Sequence, residues 1–252
     1  MKKQQQTQDD YRRQIVGCAQ ALAAARNSMV EPHVAGLQAG IRIAMFTDGN
    51  RDKRVFKLKD RLDDLSAAFE DFESLIVEYI SKIPLLAYDT GPSDSERFLR
   101  WLPRGHALTA EQLDYVTCQR CRNAVEMNAA GNRLAHVRFQ ELWPSWRRLA
   151  SELQSSTHVW IHLNPIRAWG TFRTFSLLDE EATLPATVLF FPVGDDIRTA
   201  VLEPEGRRVV EQLRDVGPVR FDEMAPVVLQ TKPAQARGIC HDLAEIGLAA
   251  LG

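Results

Sequence analysis

Few residues in this chain have the types and spacing to do chemistry. Cys118 and Cys121, in the run TCQRC, have the spacing of half a zinc centre or of a redox dithiol. A structural zinc needs four ligands, and no second CxxC accompanies the pair; His106 and His136 stand singly on either side. The two thiols are therefore read as helical side chains and not as a metal site. Cys18 and Cys240 lie among apolar residues at helical spacing and are read as small buried hydrophobes. His158 and His162 share the run VWIHL; on a strand they would face the same way about 13 Å apart, too far for one ion. GxSxG, HExxH and GxxxxGK[ST] are absent, as is a GxGxxG between strand and helix. With no catalytic residue and no cofactor ligand to name, the chain reads as one that binds and positions while another protein does the chemistry.

What must position a binding site is the last third of the chain. Thr171–Leu178 (TFRTFSLL), Thr187–Pro192 (TVLFFP) and Ile197–Leu202 (IRTAVL) are β-branched and aromatic runs separated by turn-rich sequence, which predicts three short strands. PEGRRVVEQLRDVG, RFDEMAPVVLQ and PAQARGICHDLAEIGLAALG follow with helical apolar spacing, which predicts three helices. That order makes a small winged-helix-like module, a three-stranded antiparallel sheet over three helices. Such a module reads DNA with a recognition helix, or takes an extended peptide on the free edge of its meander. From Glu203 to Gly252 six Lys/Arg stand against eight Asp/Glu, the opposite of a DNA footprint. A winged-helix DNA-binding regulator is thus the alternative reading, with nucleic acid the disfavoured partner.

The runs HLNPIRAW, TVLFFPVGDDIRTAVLEPEGRRVVEQL and LAEIGLAALG resemble the C-terminal domain of partner proteins in modified-peptide (RiPP) biosynthesis. Those domains are related to the leader-binding recognition element of a pyrroloquinoline quinone pathway. The resemblance covers about ninety residues and points to the accessory subunit of the methanobactin or 3-thiaglutamate (pearlin) type. It implies a non-catalytic subunit in a heterodimer with a TIM-barrel multi-iron oxidase, to which it presents a ribosomal precursor peptide modified at cysteine. Iron would then belong to the partner enzyme, with no cofactor in this chain. It also implies that the precursor adds along Arg198, Thr199, Ala200, Val201 and Leu202 and lies against the helix from Ala234 to Leu248. Arg198 and Arg237 would meet its acidic residues through bidentate guanidinium contacts.

The preceding residues read as a helical domain, giving an α+β chain with residues 1–156 helical and 157–252 winged-helix-like. Tyr11–Met29 is Ala-rich with a helical apolar stripe, and His33–Met45 reads as a shorter helix ended by TDGN. Val55, Leu58, Leu62, Leu65, Phe69, Phe72, Ile76, Tyr79 and Ile83 then alternate by three and four, predicting one helix of roughly thirty residues. That seam serves either a dimer or, as favoured here, a bundle within one chain. Ser93 or Asp94 can cap the next helix, and Thr109 with Gln112 has capping-box spacing. NAAGN (128–132) should interrupt or end that helix, and a last one from Arg133 to Ser155 should bend at Pro144. Between Thr117 and Ala150 six arginines face only Glu126 and Glu141. This is either a solvated helical face or a docking face, for which Arg138, Trp143, Trp146 and Arg147 are the candidates. The net charge of −2, the lack of a long apolar run and the polar start MKKQQQTQDD predict a cytoplasmic protein with no membrane partner.

Overall fold

The computed structural model describes residues 37–83, 91–155, 158–178, 182–223 and 233–252, with side chains from Gly49 onward except at residues 154, 155, 216 and 233. The fold is α+β, with eight α-helices and two three-stranded antiparallel sheets among these residues. Two compact units divide it, residues 1–112 and 113–252. The expected helix at Tyr11–Met29 lies outside the described residues. No helix among them is long and apolar enough to cross a membrane.

In the first unit α1 spans Leu37–Arg61, a 3-10 turn Asp63–Ala67, α2 Phe72–Lys82 and α3 Asp94–Gly105. The turn expected at TDGN is helical instead. Asp, Gly and Asn cost at most about 1 kcal/mol each in a helix interior, which burial of a neighbouring face outweighs. The expected single helix from Val55 to Ile83 is broken at residues 62–71, so that α1 and α2 pack on each other. The seam pattern still identifies the buried side: Leu58, Leu62, Leu65, Phe69, Phe72, Ile76 and Tyr79 are all in the core. Each such side chain contributes about 1.5–3 kcal/mol. Ser93 caps α3, accepting from Glu96 N at 3.2 Å. Asp94 is held instead by both Nε and Nη2 of Arg54 at 2.7 Å and by Tyr79 Oη at 2.8 Å.

The capping box at Thr109 forms in both directions, Thr109 N to Gln112 Oε1 at 3.0 Å and Gln112 N to Thr109 Oγ1 at 3.2 Å. It opens α4, Ala110–Gly131, which ends within NAAGN. α5 (Arg133–Leu142) and α6 (Trp146–Ser155) follow, joined through Pro144 by one 3-10 turn, Trp143–Ser145. The remaining elements are β1 (Trp160–Leu163), β2 (Ala168–Phe172), β3 (Ala186–Val193), β4 (Asp196–Val201), α7 (Pro204–Val216), β5 (Val219–Arg220), α8 (Pro233–Glu245) and β6 (Ala249–Leu251).

The meander runs β2-β3-β4, and a second sheet runs β5-β1-β6. The first meander strand lies three residues earlier than read and stops at Phe172, because Asp114 captures the next two amides into a turn. The last helix is shorter than read. After Glu245 the amides of Gly247 and Leu248 turn back to Ala244 O and Leu243 O, a Schellman-type cap, and Ala249–Leu251 pairs with β1 as a strand. Of RFDEMAPVVLQ, Arg220 ends β5, Phe221–Glu223 is helical and residues 224–230 lie outside the described residues.

Both faces of the meander are packed. Leu189 and Phe191, with Trp169, Ala200 and Leu202 beside them, share a core with α6, α7 and α8. Val188, Phe190 and Phe172, with Ile197, share a second core with Cys121 and Val125 of α4. The compact unit that holds both sheets thus begins at Leu113. Ala150 and Leu153 of α6 are buried in the same core as β1 and α8, and Trp143 Nε1 donates to Ala244 O at 2.7 Å.

Candidate functional site

The β3–β4 hairpin decides what β4 can offer. Val193 pairs with Asp196, so only Gly194 and Asp195 lie in the loop, with Gly194 at φ 63° as primed two-residue turns require. The pair closing such a loop exchanges both hydrogen bonds, and pairs alternate from there. Arg198 (with Phe191) and Ala200 (with Leu189) are therefore bonded inward to β3. Ile197, Thr199 and Val201 turn their N–H and C=O groups outward. Pro192, which has no N–H to give, sits opposite Ile197, where none is needed. Among the described residues no group bonds to the outward N–H groups of Ile197, Thr199 and Val201, and β4 is an edge of its sheet.

Two devices hold α4 against the meander. Gly170 lets it approach β2: a Cβ there would stand 3.0 Å from Cys121 Sγ, 3.1 Å from Thr117 Cγ2 and 2.9 Å from Phe172 Cε2. Asp114, fully buried, accepts from Arg173 N at 2.9 and 3.0 Å and from Thr174 N and Oγ1 at 2.7 Å. A third device ties the hairpin to the other sheet. Buried Asn164 donates to Pro192 O at 3.0 Å and Gly247 O at 3.3 Å, and accepts from Ile166 N at 3.0 Å. Neither Asp114 nor Asn164 stood out in the sequence. Asn164 had a signal in the dipeptide Asn-Pro, which favours this Asx turn; Asp114 had none.

The structure separates the residues read as peptide-binding. Thr199 and Val201 lie exposed on the α4 face of the sheet, Val201 52% exposed. Arg198, Ala200 and Leu202 lie on the other face, the last two partly buried. Only the C-terminal end of α8 is in hydrogen-bond reach of β4, with Arg198 Nη1 3.5 Å from Ile246 O. Arg237 sits nine residues back along α8, about 13 Å at the helical rise. Its guanidinium lies over the Phe221 ring, 5.4 Å from the centroid. Arg198 and Arg237 thus belong to separate places.

The Arg- and Trp-containing region is divided as well. Trp143 and Trp146 are half-buried and anchor α8, Trp143 through Ala244 O and Trp146 edge-on to His241 at 5.6 Å. Arg138 and Arg147 are exposed, Arg147 lying over the Trp146 ring. Val137, beside Arg138 on α5, is 41% exposed.

Cys118 and Cys121 stand one turn apart on α4 beneath the meander. Burial, with a smaller contribution from Cys118, pushes the Cys121 thiol up to about 11, and burial pushes Cys240 up to about 12. At about pH 8 roughly one Cys121 in a thousand is then thiolate. Of the three described cysteines, iodoacetamide is expected to alkylate half-buried Cys118 first and to reach Cys121 and Cys240 only on denaturation, as read by peptide mass spectrometry. Equal labelling of Cys118 and Cys121 in the folded protein would show that the α4–meander contact opens. Among the described residues one group of three potential ligands clusters, His241, Asp242 and Glu245, with ligand atoms within 4.8 Å of one another. Asp242 and Glu245 are exposed, as on an ordinary solvated helix face. No family model, curated protein or solved structure matches this chain.

Proposed function

We propose that the chain is a non-catalytic partner protein that binds a segment of a ribosomal precursor peptide as an added strand on β4. It presents that peptide to a separate TIM-barrel multi-iron oxidase acting on a peptide cysteine. The observation that carries this reading is the outward-facing backbone of Ile197, Thr199 and Val201 on an edge strand. An extended peptide completes such groups, and alternate side chains beside them give selectivity. Residues 157–252 are the winged-helix-like recognition module in this reading. Its support is the order α7, β5, the helical residues from Phe221, α8 and β6, with β1 between β5 and β6. The enzyme docks on α5 and α6 in this reading, with exposed Arg138 and Arg147 on the docking face.

The same order of elements favours one second reading, a DNA-binding regulator with α8 in the major groove. The acidic balance from Glu203 to Gly252 counts against it.

The register chooses the test. Thr199→Pro removes an outward donor and leaves pairing to β3 intact, whereas Ala200→Pro removes an N–H bonded to Leu189 and should disrupt the sheet itself. The reading requires genes for such an oxidase and for a short precursor peptide beside that of this chain, and the chain is expected to co-purify with that oxidase. Fluorescence anisotropy with the neighbouring precursor, labelled, should show about tenfold weaker binding for Thr199→Pro with unchanged circular dichroism. Unchanged affinity together with no co-purifying enzyme would sink the reading.

A further inference from the structure

The β4 edge lacks most of the features that keep edge strands from pairing, its only charges being Asp196 and Arg198. Its register to β3 is unbroken from Asp196 to Val201, with no bulge and no Pro or Lys along it. A strand added to this edge has its two faces fixed in advance, because the outward backbone belongs to Ile197, Thr199 and Val201. Side chains of the added strand on their face meet an exposed hydroxyl and an exposed isopropyl group. Side chains on the opposite face meet Arg198 first, since Ala200 and Leu202 are partly buried. Arg198 is exposed and its one described contact is the long 3.5 Å approach to Ile246 O, at the C-terminal end of α8 where a cation is favoured. Four of its five N–H donors are left for a carboxylate. Asp196 shares that face but sits at the hairpin tip, which limits the attractive positions to one.

We propose that β4 selects an extended peptide whose strand alternates β-branched residues on the Thr199–Val201 face with a single carboxylate opposite Arg198. This rests on the reading of β4 as the peptide edge, and the experiment separates the two. Two fluorescent probes, Val-Thr-Val-Glu-Val-Thr-Val and the same peptide with Lys at the centre, are titrated by anisotropy into the full chain. The native protein should bind the Glu probe about fivefold more tightly than the Lys probe, with the gap narrowing at high salt. Arg198→Glu should reverse the order, and folded Thr199→Pro should weaken both probes together. Equal affinities, or an order unchanged in Arg198→Glu, would overturn the carboxylate assignment while loss in Thr199→Pro still upheld strand addition. Binding that survives Thr199→Pro would remove strand addition itself. No binding of either probe overturns the proposal, as does a concentration-dependent dimer, measured by light scattering, that Thr199→Pro abolishes, since the edge would then serve a second copy of the chain.

Discussion

Asn164→Ala is expected to lower the melting temperature by about 10–15 °C. The side chain is fully buried and satisfies three backbone groups at once, Pro192 O, Gly247 O and Ile166 N. A buried partner left without its bond costs about 1–3 kcal/mol, so three of them amount to about 3–5 kcal/mol after relaxation. The three belong to the end of β3, the loop before β6 and the β1–β2 turn, so the loss also unties the two sheets. Asn164→Asp separates donor from acceptor. It keeps an oxygen for Ile166 N but turns a carboxylate oxygen toward two carbonyls, and should rescue nothing at neutral pH. Thermal unfolding by circular dichroism reads both variants. A shift below about 3 °C for Asn164→Ala would mean that water replaces the amide at little cost.

Asn164 also shows why part of the fold was legible in the sequence and part was not. Local signals worked where the cause is local. The capping box at Thr109, the cap at Ser93, the stop at NAAGN and the bend at Pro144 each depend on a few neighbouring residues, and each forms. The seam from Leu58 to Tyr79 marked buried residues correctly, because apolar periodicity reports burial. It could not report that the helix breaks at residues 62–71, since both halves of a helical hairpin keep the same period. The strands β5 and β6 are two and three residues long and are defined by partners far along the chain, so no run of their own announces them, whereas β1 lies in VWIHL, a run that already suggests a strand. The candidate edge was visible as IRTAVL. Which of its residues face outward was not, because that follows from the two-residue loop at Gly194 and Asp195 and the pairing counted from it.

Asp114→Asn is expected to cost about 2–3 kcal/mol and, unlike Asn164→Ala, to act first on one side of the meander. Its two carboxylate oxygens receive three backbone contacts, from Arg173 and Thr174, and the Thr174 hydroxyl, all donors. An amide in the same place offers one accepting oxygen and turns an NH2 group toward donors, so one half of the arrangement becomes repulsive. Charge-assisted bonds are worth about twice neutral ones, which is why the isosteric amide is not a conservative change here. The turn after Phe172 should loosen before the sheet does. Hydrogen exchange should therefore speed at the Arg173 and Thr174 amides by tenfold or more, while the β3–β4 amides Phe191 and Ala200 keep their protection. The consequence reaches the candidate edge only through α4, which Asp114 anchors to β2 and which covers the face carrying Ile197. Peptide affinity should consequently fall far less in Asp114→Asn than in Thr199→Pro, although Asp114→Asn is the more destabilised protein. An affinity loss that instead tracks melting temperature across the two variants would mean that binding reports global stability and not the pairing of an added strand with β4.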